Sequence, residues 1–231
     1  MSTILAVDIS DFRSQLEFER TWRLDELRLL ENQIDGVGGE EEQRRYRKML
    51  VVMLYSHFEG YCKIALLVYA NAINKAGFRC HDVNDAIAAA TLTRLFNATT
   101  SGNKHAFFGK HLPDDSALHT LARRIEFLSS IPRALSEPVL IDDDLVNTGS
   151  NLKAVVLKKN FFQLGLDHEM IEPHRVDLDR LVDERNQLAH GTRRDGPDAA
   201  EYARLQTNTL KLMEAVSSAL LRAVETGQFR S

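Results

Sequence analysis

The segment Asp183-Glu184-Arg185-Asn186-Gln187-Leu188-Ala189-His190-Gly191 holds the residues best suited to chemistry. It sets a guanidinium, an amide and an imidazole within about one and a half helical turns, beside a glycine able to end the helix. An imidazole titrates near neutrality and can serve as acid or base. Held beside a fixed positive charge, it supplies what metal-free cleavage of an RNA phosphodiester requires.

On a helix, Asn186 and His190 are i,i+4 and share a face, whereas Arg185 and His190 are i,i+5 and roughly 140° apart. This spacing favours a site at a helix–helix junction, reached by a bent arginine or by two crossing copies of the helix. Gly191 suits the left-handed cap position, which puts His190 at the negative end of the helix dipole, where imidazolium is favoured. In this scheme His190 is the acid for the leaving 5′-oxygen or the base for the 2′-hydroxyl. Arg185 holds the phosphate and stabilises the developing charge, and Asn186 orients the histidine or a phosphate oxygen. Because the 2′-hydroxyl is the nucleophile, DNA would not be cut. The same three residues also make an ordinary helix end: an arginine paired with Asp183, a capping amide and a terminal histidine. Spacing alone does not separate the two.

The elements that must position these groups are helical almost throughout, and no run of β-branched residues alternates as a strand would. Ser10 to about Ile34 predicts an amphipathic helix, broken by Asp35-Gly36-Val37-Gly38-Gly39. Glu40 to about Ala76 predicts one long helix, acidic at its start and ended by Gly77; the near-continuous apolar sequence from Met49 to Ala72 makes it the central one. Shorter helices are expected near 84–97, 115–136 and 151–164, separated by Gly102, Pro113, Pro138 and Asp142-Asp143-Asp144. A helix from about His174 to His190, a turn Gly191–Pro197 and a long helix from Asp198 to about Thr226 complete the chain, Pro197 suiting a helix start. The architecture this predicts is all-α: an antiparallel four-helix bundle of the first two and last two helices, with the middle helices inserted.

The chain has 231 residues, 44% of them hydrophobic, enough for one substantial core or two small ones. A formal net charge of −4 excludes an overall basic nucleic-acid binder, so any RNA contact must be local or built from two chains. Cys62 and Cys80 lack metal-ligand spacing and form no disulfide framework, which points to a reducing cytoplasm; Cys62, in an apolar run, should be buried. The N-terminus does not read as a secretory signal, and the apolar stretch Ile64–Ala72 is too short to cross a bilayer.

Glu59 and Lys63 are i,i+4 on the central helix, where an intrahelical ion pair is the plain account. In so apolar a segment they are also candidates to border the cleft, with Lys63 touching phosphate. Gly60 in mid-helix suggests a close helix approach and hence an interface. Arg193-Arg194, just past His190, is the basic pair best placed to hold an RNA backbone. Arg123-Arg124 and Lys158-Lys159 read as solvated surface, and Phe161-Phe162 as packing beneath a short helix. His57 reads as a satisfied, partly buried residue; His81, His105, His111, His119, His168 and His174 read as surface. His105 and His111 with Asp114-Asp115 make only a poor metal set, and no phosphate-cradling glycine loop is present.

Arg185-Asn186-x-x-x-His190-Gly191, late in a helical chain and followed by one long helix, resembles the HEPN family. Tyr55-Ser56-His57-Phe58-Glu59-Gly60-Tyr61-Cys62-Lys63 resembles the aromatic-Glu-Gly-aromatic segment of the branch that includes RiboL-PSP-type HEPN proteins and related toxins. So do Ser150-Asn151-Leu152-Lys153 and Leu164-Gly165-Leu166. The resemblance covers most of 45–225; 78–145 matches nothing in it, and the first 40 residues match only in being helical. It implies one HEPN-like domain over 1–231 with 78–172 inserted, and a homodimer. It also implies a metal-independent endoribonuclease without cofactor, whose composite cleft is lined by Arg185 and His190 with Asn186 in support. RNA would be the substrate, and an antitoxin or defence-system protein a further partner, with no membrane involved. Other HEPN members bind without cutting, and a non-catalytic interaction or nucleotide-binding module remains the alternative.

Overall fold

The computed structural model describes residues 6–100, 104, 108 and 110–231. Gly102, His105 and the first few residues of the N-terminus lie outside the described residues. Among the described residues the chain forms eight α-helices and no strand. They are α1 (Ile9–Glu31), α2 (Glu40–Ala76), α3 (Asp85–Thr91), α4 (Thr93–Thr100), α5 (Ser116–Leu135), α6 (Ala154–Gln163), α7 (Arg175–Ala189) and α8 (Ala199–Thr226). α2 packs against α1, α7 and α8, and α8 also touches α1 and α7, which makes the four-helix bundle.

Local chemistry sets the boundaries. Asp8 caps α1 by accepting the Asp11 N–H at 3.0 Å, and Asp198 caps α8 by accepting the Glu201 N–H at 2.8 Å. α2 opens on Glu40, Glu41 and Glu42, which favour the positive end of its dipole, and closes at Gly77 with φ 75°, a backbone that glycine adopts without strain. The 84–97 stretch, expected as one helix, breaks into α3 and α4 at Leu92. A 3₁₀ segment, His168–His174, leads into α7.

α2 is the core helix. Tyr55, Phe58, Tyr61, Cys62, Ala65, Leu66, Tyr69, Ala70 and Ile73 are all buried along it, and the Tyr61 hydroxyl meets Ser217 of α8 inside the bundle. Burial pushes the Cys62 thiol well above its ordinary range, and Cys80 is buried and raised in the same way. The whole of α2, unlike the Ile64–Ala72 stretch alone, is long and apolar enough to cross a membrane by length and composition, and half of its most apolar window is covered by the bundle.

Several local readings are sharpened by the structure. His119 is buried, not surface: its Nε2 lies 2.6 Å from Asp114 Oδ1 and its ring meets Phe108 edge-on. Asp115 caps α5, so the aspartates considered with His111 face a helix start and His119 instead. Gly60 has no helix backbone against it; a Cβ there would meet the buried guanidinium of Arg23 at 3.5 Å, ordinary contact within the same chain. Of the phenylalanine pair, Phe161 is buried and Phe162 is exposed beside His168.

Candidate functional site

α7 carries the arginine–histidine segment and ends as the sequence predicts. Its last backbone bond runs from the His190 N–H to the Asn186 carbonyl at 3.0 Å, and Gly191 follows in the left-handed region at φ 74°. His190 caps the helix and is exposed.

Arg185 lies against α2. Its Cζ lies 4.0 Å from the centre of the Tyr55 ring. Nη1 donates to Asn186 Oδ1 at 2.8 Å, and Nη2 donates to the Ser150 carbonyl at 3.2 Å. Glu59 Oε2 stands 3.7 Å from Nη2, within ion-pair range but beyond hydrogen-bond length. The guanidinium is therefore fixed by neutral acceptors and an aromatic face, and only loosely neutralised. Its side chain keeps 19% exposure, and five N–H groups with two engaged leave donors for a phosphate.

Asn186 turns toward Arg185 rather than His190. Its Oδ1 accepts from Arg185, and its Nδ2 donates to Asn151 Oδ1 at 3.2 Å. Tyr55 completes the base of the site: its hydroxyl accepts the Leu152 N–H at 2.7 Å. Burial pushes that hydroxyl up to about 12, and the hydrogen bond and charge of neighbouring Glu59 add to the rise, so it stays protonated. Glu59 is thus divided between Tyr55 and Arg185. The expected Glu59–Lys63 pair does not form, because Glu59 faces α7 while Lys63 is exposed one turn further on, without an ion-pair partner among the described residues. Nor does Arg185 pair with Asp183, which takes Lys153 at 2.9 Å instead.

The two arginines past His190 differ. Arg193 is held by Glu184 and, at 3.2 Å, by Glu201, whereas Arg194 is exposed. The structure brings Arg185, Asn186 and Glu59 together. Lys63, Arg194 and His190 are exposed. Among the described residues no group of His, Cys, Asp and Glu is arranged to hold a metal ion.

Tyr55, Ser150 and Asn151 take part in the site without having been assigned a role from sequence. Their partners lie 97, 35 and 35 positions away along the chain, beyond any local periodicity. The one signal available was their presence in the segments that resemble the HEPN branch.

The family profile described as RiboL-PSP-HEPN matches residues 19–222, a span that includes the 78–145 region. No curated protein and no solved structure matches the chain.

Proposed function

The chain belongs to the RiboL-PSP-HEPN family, and from that premise we propose that it is a metal-independent RNA endonuclease acting as a homodimer. Arg185 and His190 would work in a cleft completed by the second copy, in a bacterial toxin–antitoxin or phage-defence setting. The observation that carries this reading is the state of Arg185. It is immobilised on Tyr55, Asn186 and the Ser150 carbonyl, yet lacks a tight carboxylate partner, so its charge is available to an incoming phosphate.

Transesterification accounts for every atom. A base takes the proton of the ribose 2′-hydroxyl, and the 2′-oxygen attacks phosphorus. The P–O5′ bond breaks as an acid protonates the leaving oxygen, giving a 2′,3′-cyclic phosphate and a 5′-hydroxyl. His190, exposed at the end of α7, fills one of these proton roles, and the same residue of the second copy is available for the other. Arg185 gathers the charge on the non-bridging oxygens. The i,i+5 spacing sets the two residues roughly 140° apart on α7, which favours two copies of the helix brought together.

The test is expression of wild type, Arg185→Ala and His190→Ala in bacteria, with RNA ends sequenced after induction. Wild type should stop growth and leave new 5′-hydroxyl ends even with chelator in the lysate, and both variants should do neither. Unchanged RNA ends with wild type would sink the proposal. A second reading, a non-catalytic interaction module, draws on the Glu59 contact to Arg185, the capture of Arg193 by two glutamates and the net charge of −4. It predicts a stable partner complex and no RNA cleavage.

A further inference from the structure

The turn between α5 and α6 is anchored far more heavily than a connection needs. Gly149 and Ser150 both sit in the left-handed region, at φ 62° and 56°, and Ser150 is the one non-glycine residue to do so among the described residues. At its start, the fully buried Asn160 side chain accepts the Asn147 N–H at 3.0 Å and donates to the Asn147 carbonyl at 3.0 Å. At its centre, Tyr55 accepts the Leu152 N–H. At its end, Asp179 of α7 accepts the Ala154 N–H at 2.9 Å, and Lys153 pairs with Asp183 of α7. Two acceptors of this frame also reach α7, the Ser150 carbonyl and the Asn151 amide oxygen, which receive Arg185 and Asn186 respectively.

Strain of this kind persists only where the surroundings over-determine it, and here they aim two acceptors at the nuclease motif. We infer that the 147–153 turn is a positioning device for Arg185, with Asn151 as its principal side chain. Asn151 fixes the rotamer of Asn186, Asn186 fixes one edge of the guanidinium, and Ser150 fixes the other. All three acceptors are neutral, so the arginine is oriented without losing its charge, which a carboxylate in the same place would compromise. Asn151 acts through Asn186 and, on this account, does not touch the substrate.

The inference rests on the nuclease reading for its catalytic consequence but not for its geometry, and the experiment reads the two separately. In the full-length chain with ¹⁵N-labelled arginine, the Arg185 Nε–Hε signal should be rigid and shifted by the Tyr55 ring. Asn151→Ala should make it mobile, and Asn151→Asp, which keeps the acceptor oxygen, should restore its order. In RNA cleavage, Asn151→Ala should lower kcat about tenfold with KM little changed, the signature of a misplaced group. Asn151→Asp should recover kcat and raise KM, because its charge competes with phosphate. An Arg185 signal equally rigid in wild type and Asn151→Ala overturns the inference. So does unchanged kcat in Asn151→Ala when wild type is active. If wild type cuts no RNA, the nuclease reading falls, and the nuclear magnetic resonance result still decides whether the turn holds the arginine.

Discussion

At Arg185 the guanidinium meets an aromatic face, an amide oxygen and a backbone carbonyl at once, and a lysine ammonium cannot reproduce that set. Stacking needs a planar cation, and the two acceptors lie on different nitrogens of a fixed fork. Arg185→Lys keeps the charge but loses the geometry. It should lower kcat/KM for RNA by about 100-fold, close to 2.7 kcal/mol at about 1.36 kcal/mol per factor of ten, with little change in melting temperature. Steady-state kinetics beside a thermal melt check this; a lysine variant with wild-type kinetics would show that charge alone suffices. Arg185, Asn186 and His190 were legible because they lie within one helix, where spacing converts directly into direction. Asn151, Ser150 and Tyr55 were not, because their roles arise only when a strained turn and a second helix close on α7.

The helices reach their positions through contacts that composition does not reveal. Gly196, in the turn after α7, lies so close to α2 that an added Cβ would sit 2.0 Å from the Arg44 carbonyl oxygen and 2.8 Å from the Lys48 nitrogen. Backbone cannot yield as a side chain does, so Gly196→Ala should destabilise by about 1–3 kcal/mol, read as a lower urea midpoint. An unaltered midpoint would mean that this close approach is absent in solution. Between α1 and α2, His57 is buried against Trp22 with Glu26 Oε2 3.3 Å away. Burial lowers its pKa; Glu26 opposes that and Arg23 assists it. A histidine whose folded value is depressed binds its proton more readily unfolded, so its contribution is present above the unfolded value near 6.5. That contribution is lost as pH falls. Melting temperature should therefore drop below about pH 6.5 more steeply in wild type than in His57→Phe; parallel curves would refute the assignment. The end of α2 was readable from Gly77 and the start of α8 from Pro197-Asp198, which act locally, whereas α1 begins at Ile9 under an Asp8 cap that the apolar pattern did not reveal. The break at Leu92 and the burial of His119 were not, since both depend on packing in the inserted region.

As a whole molecule the chain is acidic, with 33 Asp and Glu against 29 Lys and Arg, so the proposed RNA contact would rest on a few local cations. Arg193 and Lys153 are already paired, which leaves Arg185, Lys63 and Arg194 as the cations for the proposed cleft. Three phosphate contacts on single-stranded RNA give a log–log salt slope no steeper than about −2 per chain. A much steeper slope in a filter-binding titration would place RNA on another surface. The bundle was legible from its long amphipathic helices, and the match over 19–222 extends the kinship across the inserted region as well. The proposed His190 chemistry is tested most directly by the ends it leaves on RNA. Purified wild type and His190→Ala are each incubated with a single-stranded RNA oligonucleotide and its all-2′-deoxy counterpart, and the fragments are weighed by mass spectrometry. The account predicts 2′,3′-cyclic phosphate and 5′-hydroxyl fragments from wild type on RNA alone. Intact RNA with wild type, equal cutting by His190→Ala, or scission of the deoxy strand would contradict it.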